Sequence, residues 1–364
     1  MLISLLTNKT LFRLLFFCEK FSYLYIMLFF IRYGYRFYKT FTFRKGWNAL
    51  LLSLQYGVSI LLRKPTLSAK PISLSIEPTN VCNLHCPECL TGSGKLSRKR
   101  GKILQNDFDQ IINQVHKELC YLLLYFQGEP FLHPQFVDFI RYAKAKGIFT
   151  ASSSNGHFLS EKNAKDIVQS KLDFLIVSLD GVTQESYRKY RKGGDLNQVV
   201  SGINTLVNVK KELKTNYPLI ELQFIVFQHN EREIKRFKEL GKELGVDRVS
   251  IKSAQIYQPE QSSEILPPEN SFYSRYKKNE AGEFYLVKKK RKYCWRQWSG
   301  AVITWEGDMT PCCFDKEAKH AYGNLKEHCL YELWRNRQAE QFREVFFQRL
   351  NLPEICKDCP EISI

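Results

Sequence analysis

Three cysteines, Cys82, Cys86 and Cys89, stand in the order CxxxCxxC within EPTNVCNLHCPECL, residues Glu77 to Leu90. Thiolates at this spacing hold soft metals or iron–sulfur clusters. A structural zinc ion or a closed cluster takes four protein ligands, whereas a catalytic metal centre keeps one position open. Three thiolates on one tight loop therefore fit a cluster whose fourth iron is left for an outside ligand. His85 could complete a zinc site, but it directly precedes Cys86, and adjacent residues are poorly placed to grip one ion. Incidental thiols are the remaining reading.

A second constellation lies near the C-terminus. Cys294, Gly307 and Cys312 form C-x12-G-x4-C, and Cys356 and Cys359 form CxxC. Two half-sites far apart in sequence, each with ligand spacing, are a common way to build a four-thiolate site, and both zinc and iron–sulfur chemistry fit it. Cys18, Cys120 and Cys329 lie in apolar surroundings and read as small buried hydrophobes.

The elements that must position these groups are legible between about Pro71 and Ile256. The strand candidates are ISLSIEPT, YLLLYFQ, IFTASSS, FLIVSL, LIELQFIVF and RVSIKSAQI. Between the first two, Leu104, Phe108, Ile111, Ile112, Val115 and Leu119 recur at helical spacing, and similar patterns start after His133, Ser160, Asp195 and Glu231. Repeated strand–helix units predict parallel strands joined by right-handed crossovers. Whether the sheet is doubly wound or a partly closed barrel, functional residues gather at the C-terminal strand ends. EPTN, QGEP, SSNG, SLDG and QHNE each directly follow a strand, so they are expected to converge on one site.

CxxxCxxC at the end of the first strand of such a domain resembles the radical SAM superfamily, over roughly residues 71–256. The resemblance implies a partial (β/α)6 TIM-like barrel, a 4Fe-4S cluster held by Cys82, Cys86 and Cys89, and S-adenosylmethionine on the open iron. QGEP is similar to the family's GGE motif, which assigns Gly128 a close backbone approach and Glu129 the methionine amino group; Gln127 replaces the first glycine. SSNG resembles the ribose-contacting segment and SLDG the Ser/Asp pair lining the same pocket, so Ser154, Asn155, Ser178 and Asp180 carry over. Arg191, in SYRKYRKGG, is expected to pair with the carboxylate of the cofactor in preference to Arg188. Glu88 stands where many members have an aromatic residue against the adenine, so apolar residues near Val226 are expected to pack that ring.

Residues 293–364 resemble a SPASM or shorter twitch extension, which implies an auxiliary 4Fe-4S cluster on Cys294, Cys312, Cys356 and Cys359. The spacing from Gly307 favours Cys312 over its neighbour Cys313, and the chain's ending five residues after Cys359 implies one auxiliary cluster rather than two. The implied activity is reductive cleavage of S-adenosylmethionine and removal of a substrate hydrogen atom, with a reductant such as flavodoxin or ferredoxin. A small polar substrate such as a sugar or aminocyclitol is expected, with Asp315 as the nearest base. The alternative is a maturase of a ribosomally made peptide. A non-catalytic zinc- or cluster-stabilised binding protein is disfavoured, because a structural site needs no cofactor pocket beside it.

At 364 residues with 44% hydrophobic content, the chain can bury a substantial core. Its net charge of +17 is uneven: residues 1–70 carry eleven Lys or Arg against Glu19 alone. This basic, aromatic-rich, helical extension suits an anionic membrane surface better than nucleic acid, with a helical subdomain packed on the body as the plainer reading. Charges interrupt the first apolar run, so no transmembrane span is expected. No export signal is evident and the cysteines cluster at ligand spacings, which predicts a cytoplasmic protein, peripheral to the inner face of the membrane if it meets one. Residues 257–292, with QPEQSSEILPPEN and KKKRK, read as a linker.

Overall fold

The computed structural model describes residues 27–256, 265–287, 293–348, 352–357 and 359. Residues 1–26 of the N-terminal extension, with Cys18, lie outside the described residues, as do part of the expected linker and its KKKRK tract.

Two helices come first, α1 through residues 27–39 and α2 from Phe43 to Leu62. Six parallel strands then follow one another across a sheet in chain order: β1 (Ser73–Ile76), β2 (Tyr121–Leu123), β3 (Phe149–Ser154), β4 (Phe174–Ser178), β5 (Leu219–Val226) and β6 (Arg248–Ser253). The crossovers are α3 (Gln105–Val115), α4 (Phe136–Ala145), α5 (Glu161–Gln169), the short α6 (Gln184–Tyr190) with α7 (Leu196–Glu212), and α8 (Ile234–Glu243). Each longer helix turns an apolar stripe to the sheet. On α3 it is Phe108, Ile111, Ile112 and Val115, the three-and-four spacing that puts side chains on one helical face.

The C-terminal residues, expected as a small Cys-rich module, are joined to the barrel sheet. After the hairpin β7 (Tyr276–Lys278) and β8 (Phe284–Leu286), the turn of helix α9 (Arg296–Ser299) leads into β9 (Gly300–Ile303), which pairs in parallel with β1 in the register Ser73↔Gly300 to Ile76↔Ile303. A Cβ at Gly300 would lie 2.3 Å from the Ser73 carbonyl oxygen, so only glycine lets the backbones meet there. β10 (Met309–Thr310) pairs antiparallel with β9, bringing that sheet to eight strands, and α10 (Leu330–Arg335), α11 (Arg337–Gln348) and α12 (Glu354–Lys357) close the order. β1 has Leu74 and Ile76 fully buried and would otherwise be an exposed apolar edge. The expected linker is also built into the body where it is described: Ile265 is buried, and the Tyr276 hydroxyl bonds both the N–H and the carbonyl of Ile256 at 2.8 Å.

α1 closes the barrel floor. Phe29, Tyr33 and Phe37 pack on Phe149, Phe174 and Leu219, the first residues of β3, β4 and β5. Arg36 donates to the carbonyls of Asp173 and Asn216. α2 starts on Thr42, whose hydroxyl accepts the Lys45 N–H, and packs through Leu52 against Trp298 and Phe347. No helix among the described residues is long and apolar enough to cross a membrane.

Candidate active site

The cysteine loop is an excursion from the end of β1 that is pinned at both ends. Glu77, fully buried, takes both guanidinium arms of Arg98 at 2.8 and 2.7 Å and the Trp305 N–H at 3.1 Å. Asn80 bonds the Lys99 carbonyl and the Gly101 N–H, and Thr79 donates to the Gly101 carbonyl at 2.6 Å. EPTN is thus the frame of the loop.

Cys86 is buried and Cys82 and Cys89 are partly buried around Leu84, Tyr190 and Phe227. Burial pushes the Cys86 thiol up to about 11 and raises Cys82 as well; Cys89 and Cys82 raise Cys86 further, and Glu129 and Cys89 raise Cys82. Buried thiols that repel one another as thiolates need cationic metal among them to ionise, which is the condition of a cluster-binding set. Among the described residues, no three ligating side chains are gathered tightly enough to hold a single metal ion.

QGEP crosses beneath this loop. Gly128 has φ +76°, and a Cβ there would lie 2.4 Å from the Thr79 carbonyl oxygen and 2.7 Å from that of Val81, so glycine is required by backbone and by space. The next residue, Glu129, donates its N–H to Val81 and is itself buried. Its carboxylate accepts from the Ser154 hydroxyl at 2.9 Å, the Asn155 N–H at 2.8 Å and the Phe131 N–H at 3.2 Å. Burial outweighs these bonds and holds the Glu129 carboxyl up at about 7. The Asn155 amide reaches back to Asn83 at 2.7 Å and to the Cys82 sulfur at 3.9 Å. Gly128, Glu129, Ser154 and Asn155 are therefore one network on the cysteine loop.

Asp180 and Arg191 form a second network. Asp180 is fully buried at the end of the β4 segment, where its carboxylate accepts the Ile225 N–H and Arg191 Nε, both at 2.6 Å. Burial raises Asp180, against the pull of Arg191. Desolvation opposes the charge on Arg191, but Asp180 and Cys86 outweigh it and keep the guanidinium protonated; its Nη1 is 3.9 Å from the Cys86 sulfur. Asp180 thus aims Arg191 at the loop. Arg188, its rejected rival, instead bonds the Gly194 carbonyl. Ser178 ends β4 and Val226 ends β5, both buried.

Cys294 precedes α9, Cys312 follows β10, and Cys356 and Cys359 come with α12. Burial pushes Cys356 up to about 12 and raises Cys294 and Cys312; among these, Cys294 feels Cys359, Cys312 feels Cys294 and Cys356, and Cys356 feels Cys294 and Cys359. The four thus share one environment, as a fully ligated cluster requires. Cys313 lies in the same environment: Cys312 feels it more than Cys294 or Cys356, and Arg296 Nη1 is 3.6 Å from its sulfur. Cys329 is exposed at the start of α10, unlike the buried hydrophobe expected, while Cys120 is buried.

Asp315 does not fit the role of base. Its two carboxylate oxygens accept the N–H groups of Lys319 and His320, both at 2.9 Å, so the buried side chain caps a turn, and it does not line the cavity described next.

A cavity of about 690 Å³ fills the barrel between the two cysteine sites. Glu88, Cys89 and Gly128 line it on one side, Arg296, Cys312 and Cys313 on the other, with Tyr125 and Gln223 between. Glu88 is the only carboxylate among its described lining residues, against the cations Lys252, Arg275, Arg296 and Lys316. Burial pushes the Tyr125 phenol up to about 12. Tyr125, Gln223, Lys252, Arg275, Arg296 and Lys316 belong to no motif in the sequence, because residues that meet only across a folded cavity carry no spacing signature of their own.

The family model of the radical SAM superfamily matches residues 76–225, and that of the SPASM iron–sulfur cluster-binding domain matches residues 294–360. The chain belongs to the radical SAM superfamily. It is an enzyme of the SPASM type, and its cofactors are S-adenosylmethionine and iron–sulfur clusters. The tungsten-containing aldehyde ferredoxin oxidoreductase cofactor-modifying protein of Pyrococcus furiosus is 26% identical over 79% of this chain and 86% of its own length. Mycofactocin maturase MftC of Mycobacterium ulcerans is 27% identical over 48% of the chain; the chain spans only 45% of that relative. Native anSMEcpe with bound AdoMet shares the radical SAM fold at TM-score 0.57 and 20% identity, covering 79% of this chain and 87% of that one. SuiB of Streptococcus suis bound to S-adenosylmethionine shares it at 0.55 and 15%, covering 73% and 66%.

Proposed function

We propose that this radical SAM enzyme removes a hydrogen atom from a small polar substrate bearing negative charge, held in the cavity between its two cysteine sites. The observation that carries the reading is that cavity, which touches Cys89 and Gly128 at one end and Cys312 and Cys313 at the other. Cys82, Cys86 and Cys89 would hold the reducible cluster, Cys294, Cys312, Cys356 and Cys359 one auxiliary cluster, and Gly128, Glu129, Ser154, Asn155, Ser178 and Arg191 the bound S-adenosylmethionine. When bound, these groups supply a 5′-deoxyadenosyl radical that takes a hydrogen atom and an auxiliary redox centre beside the substrate.

The chain's own side chains do the rest. Glu129 offers a buried carboxylate for the cofactor's ammonium group, and Arg191, aimed by Asp180, offers a guanidinium for its carboxylate. Lys252, Arg275 and Arg296 attract and orient an acidic substrate, which disfavours the cationic aminocyclitols and favours a sugar carrying a carboxylate or phosphate. Glu88 replaces Asp315 as the group to take a hydroxyl proton, since it lines the cavity.

The second reading, a peptide maturase, is supported by the relatives: one is a mycofactocin maturase, and a solved SuiB structure holds the precursor peptide SuiA. The test is anaerobic reconstitution with iron and sulfide, reduction with S-adenosylmethionine, and measurement of 5′-deoxyadenosine against a panel of acidic sugars, aminocyclitols and peptides. Formation stimulated by an acidic sugar, lost in Cys86→Ala and reduced at least tenfold in product yield by Glu88→Gln, is expected. Stimulation by peptides or aminocyclitols alone would overturn the substrate class.

A further inference from the structure

The helices α1 and α2 bury one side in the body and turn the other outward, and the outward side is apolar. Among the described residues, twenty large hydrophobic side chains are exposed, and fourteen of them fall within residues 27–62. On α2 they are Phe43, Trp47, Leu50, Leu54, Val58 and Leu61, a three-and-four spacing that makes one continuous face, with Phe43 89% and Leu61 81% exposed. The opposite face of the same helix carries the buried Lys45, Asn48, Leu52 and Ser59. On α1, Phe30 and Ile31 are exposed as well, while Phe29 and Tyr33 grip the barrel floor. Contiguous apolar surface of this extent marks an interaction site rather than ordinary surface.

The charge around the patch says what covers it. Residues 27–64 hold seven Lys or Arg and no Asp or Glu. Arg32 and Arg44 are spent on Asp247 and Glu118 of the body, and Arg36 and Lys45 on backbone carbonyls. Lys39, Arg63 and Lys64 remain exposed where the two helices end. Apolar and aromatic side chains on one face, cations at the rim and no carboxylates are the make-up of a helix that lies in the interface of an anionic bilayer. α2 cannot cross a bilayer, because its other face is packed on Trp298 and Phe347.

We propose that the α1–α2 face docks the enzyme on an anionic lipid surface, with α2 lying flat and its Phe43–Leu61 row in the acyl boundary. The test is co-sedimentation of the full-length reconstituted chain with vesicles of phosphatidylcholine alone and of phosphatidylcholine with phosphatidylglycerol. Binding at least tenfold stronger to the anionic vesicles, weakened by salt and reduced at least tenfold in the double variant Leu54→Glu/Leu61→Glu, is expected. Both substituted positions are exposed, and unchanged iron content and thermal unfolding show that the variant folds. A wild-type chain that stays in the supernatant overturns the proposal, and one that also dimerises in sedimentation velocity through this face assigns it to a second copy. Undiminished vesicle binding by the folded variant overturns it too, by placing the contact in residues 1–26.

Discussion

Glu129 shows how one residue can be both structural and poised for a ligand. Its carboxyl is held up at about 7, first by burial, with the bonds from Asn155, Ser154 and Phe131 pulling the other way. A carboxyl whose folded value is raised binds its proton more tightly when folded, so its stabilising contribution is present below the ordinary value near 4.5 and is lost as pH rises through about 7. The ammonium group of S-adenosylmethionine needs the ionised form. Cofactor affinity, measured by anaerobic equilibrium dialysis, is therefore expected to fall as pH drops from 8 to 6, by up to tenfold per unit below 7. Glu129→Gln should bind weakly at pH 8 and lose this slope; a wild-type slope retained in the variant would assign the titration elsewhere. Gly128 and Glu129 were legible as a motif, as was Arg191. What the motif did not reveal was that Asp180 serves Arg191 through a 2.6 Å bond, because a spacing names ligands and not the groups that orient them.

At the scale of elements, the cysteine loop depends on Glu77 and Arg98, whose side chains are 0% and 5% exposed. Removing one partner of a buried pair strands the other charge, so Glu77→Ala is expected to cost about 3–5 kcal/mol. It should also lower iron incorporation at the first site, read by differential scanning calorimetry and iron analysis; full iron loading would show that the loop holds its shape without the pair. The six strands of the barrel and their crossover helices were legible, since alternation and three-and-four spacing report burial directly. β9 was not. GAVI has the composition of any buried strand, and nothing local in it names β1, more than two hundred residues earlier, as its partner. The same blindness made residues 265–287 look like a linker, although Tyr276 and Ile265 are buried. Asp315 was read as a base from its nearness to the cysteine pair, and only its two N–H partners reveal the turn it caps.

Across the whole molecule, the two cysteine sites face one cavity but stand on different walls of it, which separates their roles experimentally. Cys356→Ala should drop the iron content from roughly eight to roughly four per chain, as loss of one of two 4Fe-4S clusters requires. It should leave 5′-deoxyadenosine formation intact while abolishing product. Equal loss of both would mean that the C-terminal cysteines are needed to shape the first site. That interdependence has a visible route, since the Trp305 N–H bonds Glu77 and β9 lies along β1. It also has a consequence for how the protein is made. On the ribosome the first cysteine loop emerges more than two hundred residues before the strand that flanks it and the N–H that completes its anchor. The loop is finished only when those residues arrive, so the two sites become ready for iron together rather than in chain order.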